Sequence, residues 1–189
     1  MAIVLLAVPM IAISLAIIID DPGPVVFKQK RVGIKKYGKL TYFSLYKFRS
    51  MKVAAPRDIP THLLENPRQH FTRVGRILRQ TSADELPQLF NILLSKMSLI
   101  GPRPALWNQY DLIREREKYG ANDIKPGLTG WAQVNGRDTI GIEAKARYDG
   151  EYANSITPFM DWVCFWKTLS NVISCKDVDE GRKSRVIEG

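Results

Sequence analysis

Thr81-Ser82-Ala83-Asp84-Glu85-Leu86-Pro87-Gln88-Leu89-Phe90-Asn91-Ile92-Leu93-Leu94 sets two adjacent acids and a proline at the mouth of an apolar run. The spacing predicts a helix over Ser82–Leu94, ended by the turn Ser95-Lys96-Met97-Ser98. Two caps compete for its start. Ser82 and Glu85 fit the serine-x-x-glutamate capping box, and acids in a first turn suit the helix dipole. That start makes Pro87 the fifth helical residue, the first whose missing N–H leaves a helical bond unmade. A cap at Asp84 removes the conflict and leaves the acids at an exposed helix mouth. Local pattern alone favours capping over catalysis.

Working outward, Phe71–Arg79 reads as a short helix whose Arg73, Arg76 and Arg79 recur at threes, making one basic stripe. Ala105–Tyr119 is an amphipathic, charged helix stopped by Gly120, and Ile142–Ala153 and Pro158–Ser174 are further helices. Ile124–Arg137 is broken by glycine and proline, with a short strand expected at Trp131–Val134. Toward the amino terminus, Val25–Val32 and Leu40–Met51 are rich in β-branched and aromatic residues. They form an expected hairpin, with Gly33–Lys39 as its turn. Ala54–Gln69, carrying Pro56, Pro60 and Pro67, is a loop. The fold class is therefore α/β in the α+β sense, a small, mostly helical domain with a short β-hairpin or sheet.

Residues Ala2–Ile19 carry no charge. Eighteen helical residues reach about 27 Å, close to the hydrocarbon thickness of a bilayer. Pro9 would bend that helix. No basic leader or small-residue cleavage site marks a signal peptide. Membrane attachment fits better than a buried core helix, either as a span or as a bent helix entering and leaving one face. Lys28, Lys30, Arg31, Lys35, Lys36 and Lys39 follow and keep the body on the cytoplasmic side. The expected division is 1–20, membrane-embedded, and 21–189, a cytosolic domain. The aromatic last helix, with Phe159, Trp162, Phe165 and Trp166, suits either a core or the head-group level.

The formal charge of +9 favours anionic partners: nucleic acid, phosphorylated small molecules or anionic lipids. Cys164 and Cys175 lie eleven apart in an apolar stretch and read as buried, reduced thiols rather than a metal site. His62 and His70 lack a ligand constellation and read as surface residues.

What raises Asp84 and Glu85 above simple capping is their company. Gly101-Pro102-Arg103-Pro104 holds an arginine between two prolines, so its guanidinium can grip phosphate oxygens at little entropic cost. Lys125-Pro126-Gly127-Leu128-Thr129-Gly130-Trp131-Ala132-Gln133-Val134-Asn135-Gly136-Arg137 is glycine-rich. Its glycines allow close backbone approach to a ligand, Trp131 offers a face for a base, Gln133 and Asn135 offer amides, and Arg137 offers charge. No Walker loop or dinucleotide fingerprint occurs. Carboxylates, fixed arginines and such a loop suit a nucleotide diphosphate with a metal: one acid attacks phosphorus while the other helps hold Mg²⁺.

The run from Thr81 to Leu93, Met97 to Pro104, Pro126 to Arg137 and Tyr46-Lys47-Phe48-Arg49-Ser50-Met51 together resemble the bacterial sugar transferase family, the monotopic phosphoglycosyl transferases. The resemblance implies a ping-pong reaction. Asp84 attacks the sugar-bearing phosphate of a UDP-sugar and releases UMP, with Glu85 its partner at Mg²⁺. Polyprenyl phosphate, undecaprenyl phosphate in bacteria, then takes the phosphosugar. The resemblance also makes Arg103 the phosphate-binding arginine and Gly130–Arg137, with Trp131, Gln133, Asn135 and Arg137, the nucleotide-side loop. Arg79 is assigned to phosphate from the basic stripe. Ala2–Ile19 becomes a re-entrant helix at the inner membrane, with membrane lipids as partners. Two departures stand out: the chain starts inside the apolar run, and Val8, where the family usually has serine, precedes Pro9. Rival readings are a catalytically silent membrane scaffold of the same family and a basic nucleic-acid-binding module. Intact Asp84, Glu85 and Arg103 oppose the first, and the apolar start and absence of a recognition motif oppose the second. Nucleic acid is not expected as a partner. The donor sugar and oligomeric state, a homodimer included, stay open.

Overall fold

Alternating β-branched and aromatic residues after Pro24 draw the chain into a long antiparallel hairpin, β1 (Val26–Lys36) and β2 (Lys39–Phe48), paired from Val26↔Phe48 to Lys36↔Lys39. The computed structural model describes residues 2–56, 64, 66–136 and 140–173. The hairpin turn is only Tyr37-Gly38, both at positive φ (49° and 72°), the two-residue geometry that matches strand twist. The expected turn over Gly33–Lys39 was too long. Gly33 lies inside β1 at a bulge between Val32 and Lys35, where an added Cβ would sit 2.7 Å from Thr41 Oγ1.

The outer edge of β1 is covered by the chain after Pro104. Val32 N–H donates to the Ala105 carbonyl (3.0 Å), Lys35 N–H donates to the Asn122 carbonyl (2.7 Å), and Arg31 bridges to Leu106. Ala105 and Leu106 are spent on this edge, so the helix expected from Ala105 begins only at Tyr110, as α4 (Tyr110–Glu117). It ends before Gly120, at φ 69°, as the sequence implied.

Helix α1 (Ala2–Asp20) contains Pro9 and packs one face on the body: Met10, Ile13 and Ile17 meet Phe48, Val74 and Leu78. Its other face leaves Val8, Ile11, Leu15 and Ile19 exposed. Among the described residues no helix is long and apolar enough to cross a membrane. After Pro9 the Ser14 hydroxyl donates to the Met10 carbonyl (2.7 Å). Arg49, on the strand end, meets Asp21 Oδ2 at 3.2 Å and fastens the turn that follows α1.

Helix α2 (Arg73–Gln80) is capped by Thr72, whose Oγ1 accepts from Gly75 N–H at 2.9 Å. The expected single helix over Ser82–Leu94 is broken. Ala83–Glu85 is one 3-10 turn, and α3 (Gln88–Leu93) starts only after Pro87. Neither expected cap forms. Ser82 sits at φ 56° with no capping bond from its hydroxyl, Asp84 lies inside the turn, and Pro87 takes the cap position, where a missing N–H costs nothing. Asn91, fully buried, fastens α3 to β2: its side chain accepts from Tyr46 N–H (3.0 Å) and donates to the Ser44 carbonyl (2.8 Å).

A second, parallel pair joins β3 (Ser98–Ile100) to β4 (Gly127–Thr129). The strand expected at Trp131–Val134 is instead a helical turn, α5 (Trp131–Val134), begun when Val134 N–H reaches the Gly130 carbonyl at 3.1 Å. Helices α6 (Ile142–Asn154) and α7 (Pro158–Ile173) close the body. Ile100, Tyr152 and Cys164 make the core there. Burial pushes the Cys164 thiol up to about 11, which fits an inert, reduced side chain. Cys175 and His62 lie outside the described residues, and His70 is half-buried.

Gly75 is the tightest point of this frame, since a Cβ there would lie 2.0 Å from the Ser50 carbonyl oxygen. Gly75→Ala is expected to cost about 1–3 kcal/mol in a denaturant melt. Gly141→Ala, where a Cβ meets nothing within 4 Å, should cost clearly less; equal costs would mean that α2 does not press on Ser50.

Candidate active site

The broken helix decides where the acids go. In a continuous helix Asp84 and Glu85 would stand at a solvent-facing mouth; the 3-10 turn packs against β2 and α2 instead and carries them inward. The Asp84 side chain is 7 % exposed and that of Glu85 18 %. Lys47, from β2, approaches both, with its Nζ 2.7 Å from Glu85 Oε1 and 3.9 Å from Asp84 Oδ2. Arg103 Nη2 reaches the same Glu85 Oε1 at 2.8 Å. Arg79, half-buried, donates to Ser50 Oγ (3.2 Å) and stacks on the Phe71 ring at 4.7 Å.

Arg31, on β1, completes the set. It donates through Nη1 to the Pro104 carbonyl (2.9 Å) and through Nη2 to Gln29 Oε1 (2.6 Å), so the strand grips the residue that follows Arg103. Burial and the neighbouring Arg103 charge push its guanidinium down to about 9, with Glu85 pulling the other way. Sequence reasoning missed both Lys47 and Arg31 as site residues. Arg31 sits in a strand full of similar cations, Lys47 shares its strand only with Lys39, and the hairpin's register selects which of them face inward.

The surroundings shift the two acids in opposite directions. Burial raises the Asp84 carboxyl above its ordinary range, with Glu85 adding to the rise and Lys47, Arg79 and Arg103 opposing it. Burial pushes Glu85 up as well, but the charges and hydrogen bonds of Arg103 and Lys47 more than offset this and hold it well below the usual carboxylate range. A fixed anion therefore adjoins a carboxylate that burial makes reluctant to ionise.

Of the other predicted residues, the structure brings Arg79 and Arg103 to the acids. It leaves Trp131, Gln133 and Asn135 on their own loop. Trp131 Nε1–H donates to Glu151 Oε2 (3.0 Å) under Lys167, whose Nζ lies 5.1 Å from the ring centroid. Gln133 Nε2 donates to the Leu128 carbonyl (3.1 Å) and Asn135 Nδ2 to the Trp131 carbonyl (2.9 Å). Arg137 lies outside the described residues. Two of the three glycines expected to approach a ligand press on the backbone of Gly101 instead, a Cβ at Gly127 lying 2.2 Å from Gly101 N and one at Gly130 2.1 Å from Gly101 O, while one at Gly136 would meet the Ile140 side chain. Gly101 N–H donates to the Thr129 carbonyl (2.8 Å) and Gly127 N–H to the Pro102 carbonyl (2.9 Å). The loop thus backs the Pro102-Arg103-Pro104 segment.

Among the described residues no group of three or more histidine, cysteine or acidic side chains stands ready for a metal. Asp84 and Glu85 alone suit a magnesium ion, which takes one or two carboxylates and completes its shell with water and substrate phosphate.

A buried acid pair beneath four cations, on a small α+β body beside an apolar helix, defines a protein built to handle a phosphorylated ligand. The chain belongs to the bacterial sugar transferase family, whose model matches residues 1–175. It is 39% identical over 158 residues to the uncharacterized sugar transferase EpsL of Bacillus subtilis, covering 84% of this chain and 74% of that one. It is 41% identical over 157 residues to the UDP-glucose:undecaprenyl-phosphate glucose-1-phosphate transferase of Escherichia coli, covering 79% of this chain and 32% of the relative. To the undecaprenyl-phosphate galactose phosphotransferase of Salmonella typhimurium it is 36% identical over 170 residues, 81% of this chain and 34% of the relative. The chain thus spans about a third of these two larger enzymes.

The opposed acids make opposite demands on stability. Raised in the folded state, Asp84 stabilises while protonated; that contribution is complete below the ordinary carboxylate range and is lost as pH rises through the folded value. Asp84→Asn should therefore raise Tm at pH 7 relative to wild type and lose that advantage near pH 4. Glu85, depressed, stabilises above its ordinary range and loses this only as pH falls through its lower folded value. Glu85→Gln should cost about 1.5–3 kcal/mol at pH 7, the worth of charged hydrogen bonds. Thermal melts at both pH values check the pair; a lower Tm for Asp84→Asn at pH 7 would contradict the burial-driven shift.

Proposed function

We propose that this protein transfers a sugar 1-phosphate from a UDP-sugar to polyprenyl phosphate, with Asp84 as nucleophile. The observation that carries the reading is Asp84 itself: a nearly buried carboxylate beside Lys47, with its neighbour Glu85 locked between Lys47 and Arg103. The names of two relatives supply the reaction class.

In the first half-reaction an Asp84 carboxylate oxygen attacks the sugar-bearing phosphorus. The bond from that phosphorus to the bridging oxygen breaks, and UMP leaves with the electron pair. Arg103 and Arg79 take the charge that builds on the phosphoryl oxygens and the leaving phosphate. Lys47 favours the ionised state of Asp84 against the cost of its burial. In the second, an oxygen of polyprenyl phosphate attacks the same phosphorus, and the aspartyl oxygen leaves as a carboxylate. The product is a polyprenyl-diphosphosugar, which opens bacterial glycan assembly. Asp84 and Glu85 would hold Mg²⁺, which supplies charge neutralisation at the diphosphate.

The apolar outer face of α1, from Val8 to Ile19, fits a re-entrant helix laid into the cytoplasmic leaflet of the inner membrane, with the catalytic body on the cytoplasmic side. Trp131, Gln133, Asn135 and Arg137 remain the proposed nucleotide side. The present hydrogen bonds of Trp131, Gln133 and Asn135 make those three a wall whose opening on donor binding this reading requires.

With UDP-glucose, UDP-galactose and UDP-N-acetylgalactosamine offered in turn with Mg²⁺ and undecaprenyl phosphate, donor-specific UMP release is expected. Asp84→Asn should lose about 10³-fold or more; full activity in that variant would remove the nucleophile assignment. The pH profile gives a separate check. The rate of UMP release should rise with pH as Asp84 ionises, and Lys47→Met should move that limb to higher pH, because the cation that opposes the raised pKa is gone. A limb unmoved in Lys47→Met would mean that Asp84 is not the titrating group.

A further inference from the structure

We propose that Arg73, Arg76 and Arg79 form a phosphate track along α2 that leads the phosphomonoester head of the lipid acceptor from the membrane surface to Asp84. The inference deepens the transferase reading and rests on it for the acceptor's chemistry.

Helix α2 starts where α1 ends. Asp20, the last residue of α1, accepts the Val74 N–H through Oδ2 at 2.8 Å, and Val74 and Leu78 pack with Ile17. The foot of α2 is thereby fixed beside the last turn of the apolar helix. At its other end α2 adjoins the 3-10 turn that carries the acids.

Three arginines spaced by three residues climb about 4.5 Å per step and turn back about 60° each time around the helix. The row therefore winds from the solvent face toward the protein. Burial follows the winding. Arg73 and Arg76 are exposed, whereas Arg79 is half-buried against Phe71 and Ser50 and bears on the Asp84 carboxylate. Among the described residues no carboxylate pairs with Arg73 or Arg76. The acid at the foot, Asp20, is engaged by a backbone N–H. Ile77 lies beside Arg73 and Arg76 on the exposed face, 61 % exposed, and offers an apolar contact for the chain behind the phosphate.

The chemistry favours a phosphomonoester. Near neutral pH it carries more charge than a phosphodiester, since its second ionisation lies near 6, and it presents three acceptor oxygens to guanidinium groups. Bilayer phosphodiesters offer less charge and two such oxygens. A graded pair of exposed arginines ending at a half-buried third would select the acceptor from surrounding lipid and deliver it in the direction of the aspartyl adduct.

The test uses the full chain with Arg73→Gln/Arg76→Gln, and Arg73→Lys/Arg76→Lys as the conservative variant. The adduct is formed with the active UDP-sugar alone, then discharged with undecaprenyl phosphate in neutral detergent micelles. The glutamine pair is expected to raise the acceptor concentration for half-maximal discharge about tenfold or more. The maximal rate and the UMP released by donor alone should change less than about threefold, and the lysine pair should recover most of the loss. In parallel, the protein is floated on phosphatidylcholine vesicles containing undecaprenyl phosphate, or phosphatidylglycerol at equal charge. The glutamine pair should lose flotation on the first far more than on the second. An unchanged acceptor requirement, or equal loss on both vesicles, overturns the track. Arginine-dependent flotation on undecaprenyl phosphate without turnover by any donor would keep the track and sink the transferase reading.

Discussion

One carboxylate oxygen joins three separate parts of this chain. Glu85 Oε1 takes Lys47 from the hairpin and Arg103 from the double-proline segment, while the 3-10 turn that carries Glu85 also carries Asp84. Burying an acid is costly unless it is paired, and two cations on one oxygen hold Glu85 ionised. The same arrangement burdens Asp84, which sits beside that fixed anion in a place with little water. Four cations, Lys47, Arg31, Arg79 and Arg103, bear on two acids. The excess of positive charge favours an anionic ligand.

The supports of this site are mostly backbone and polar core rather than apolar packing. Asn91 fastens α3 to the hairpin, Arg31 grips the Pro104 carbonyl, and Arg116 meets Asp149 Oδ2 at 2.6 Å where α4 crosses α6. Such contacts fix direction as well as distance. A hairpin shifted by one residue would turn Lys47 and Arg31 outward together and leave Glu85 without either the cation it binds or the strand that steadies Arg103.

Much of the fold was legible because its signals are local. Hairpin, α4, α6 and α7 appear where alternation and helical spacing put them, with ends moved by tertiary contact. The errors share a cause. Gly33, Gly127 and Gly130 were read as turn or ligand glycines, whereas each makes room for a part of the chain distant in sequence or across the hairpin. Pro87 was correctly seen as a conflict, but the resolution, a 3-10 turn followed by a fresh helix, depends on packing against β2. Asp84, Glu85 and Arg103 stood out by residue type and spacing. Lys47 and Arg31 did not, because a cation in a strand acquires meaning only from the face it takes.

The seam between β3 and β4 has a further consequence. Gly101, Gly127 and Gly130 meet there main chain to main chain, the nearest neighbour of each being a backbone atom. A joint made this way transmits little of what happens in the surrounding side chains. Side chains at the rim can change while the arginine next to the joint keeps its aim. The aim of that arginine is thereby entrusted to bare peptide rather than to side chains.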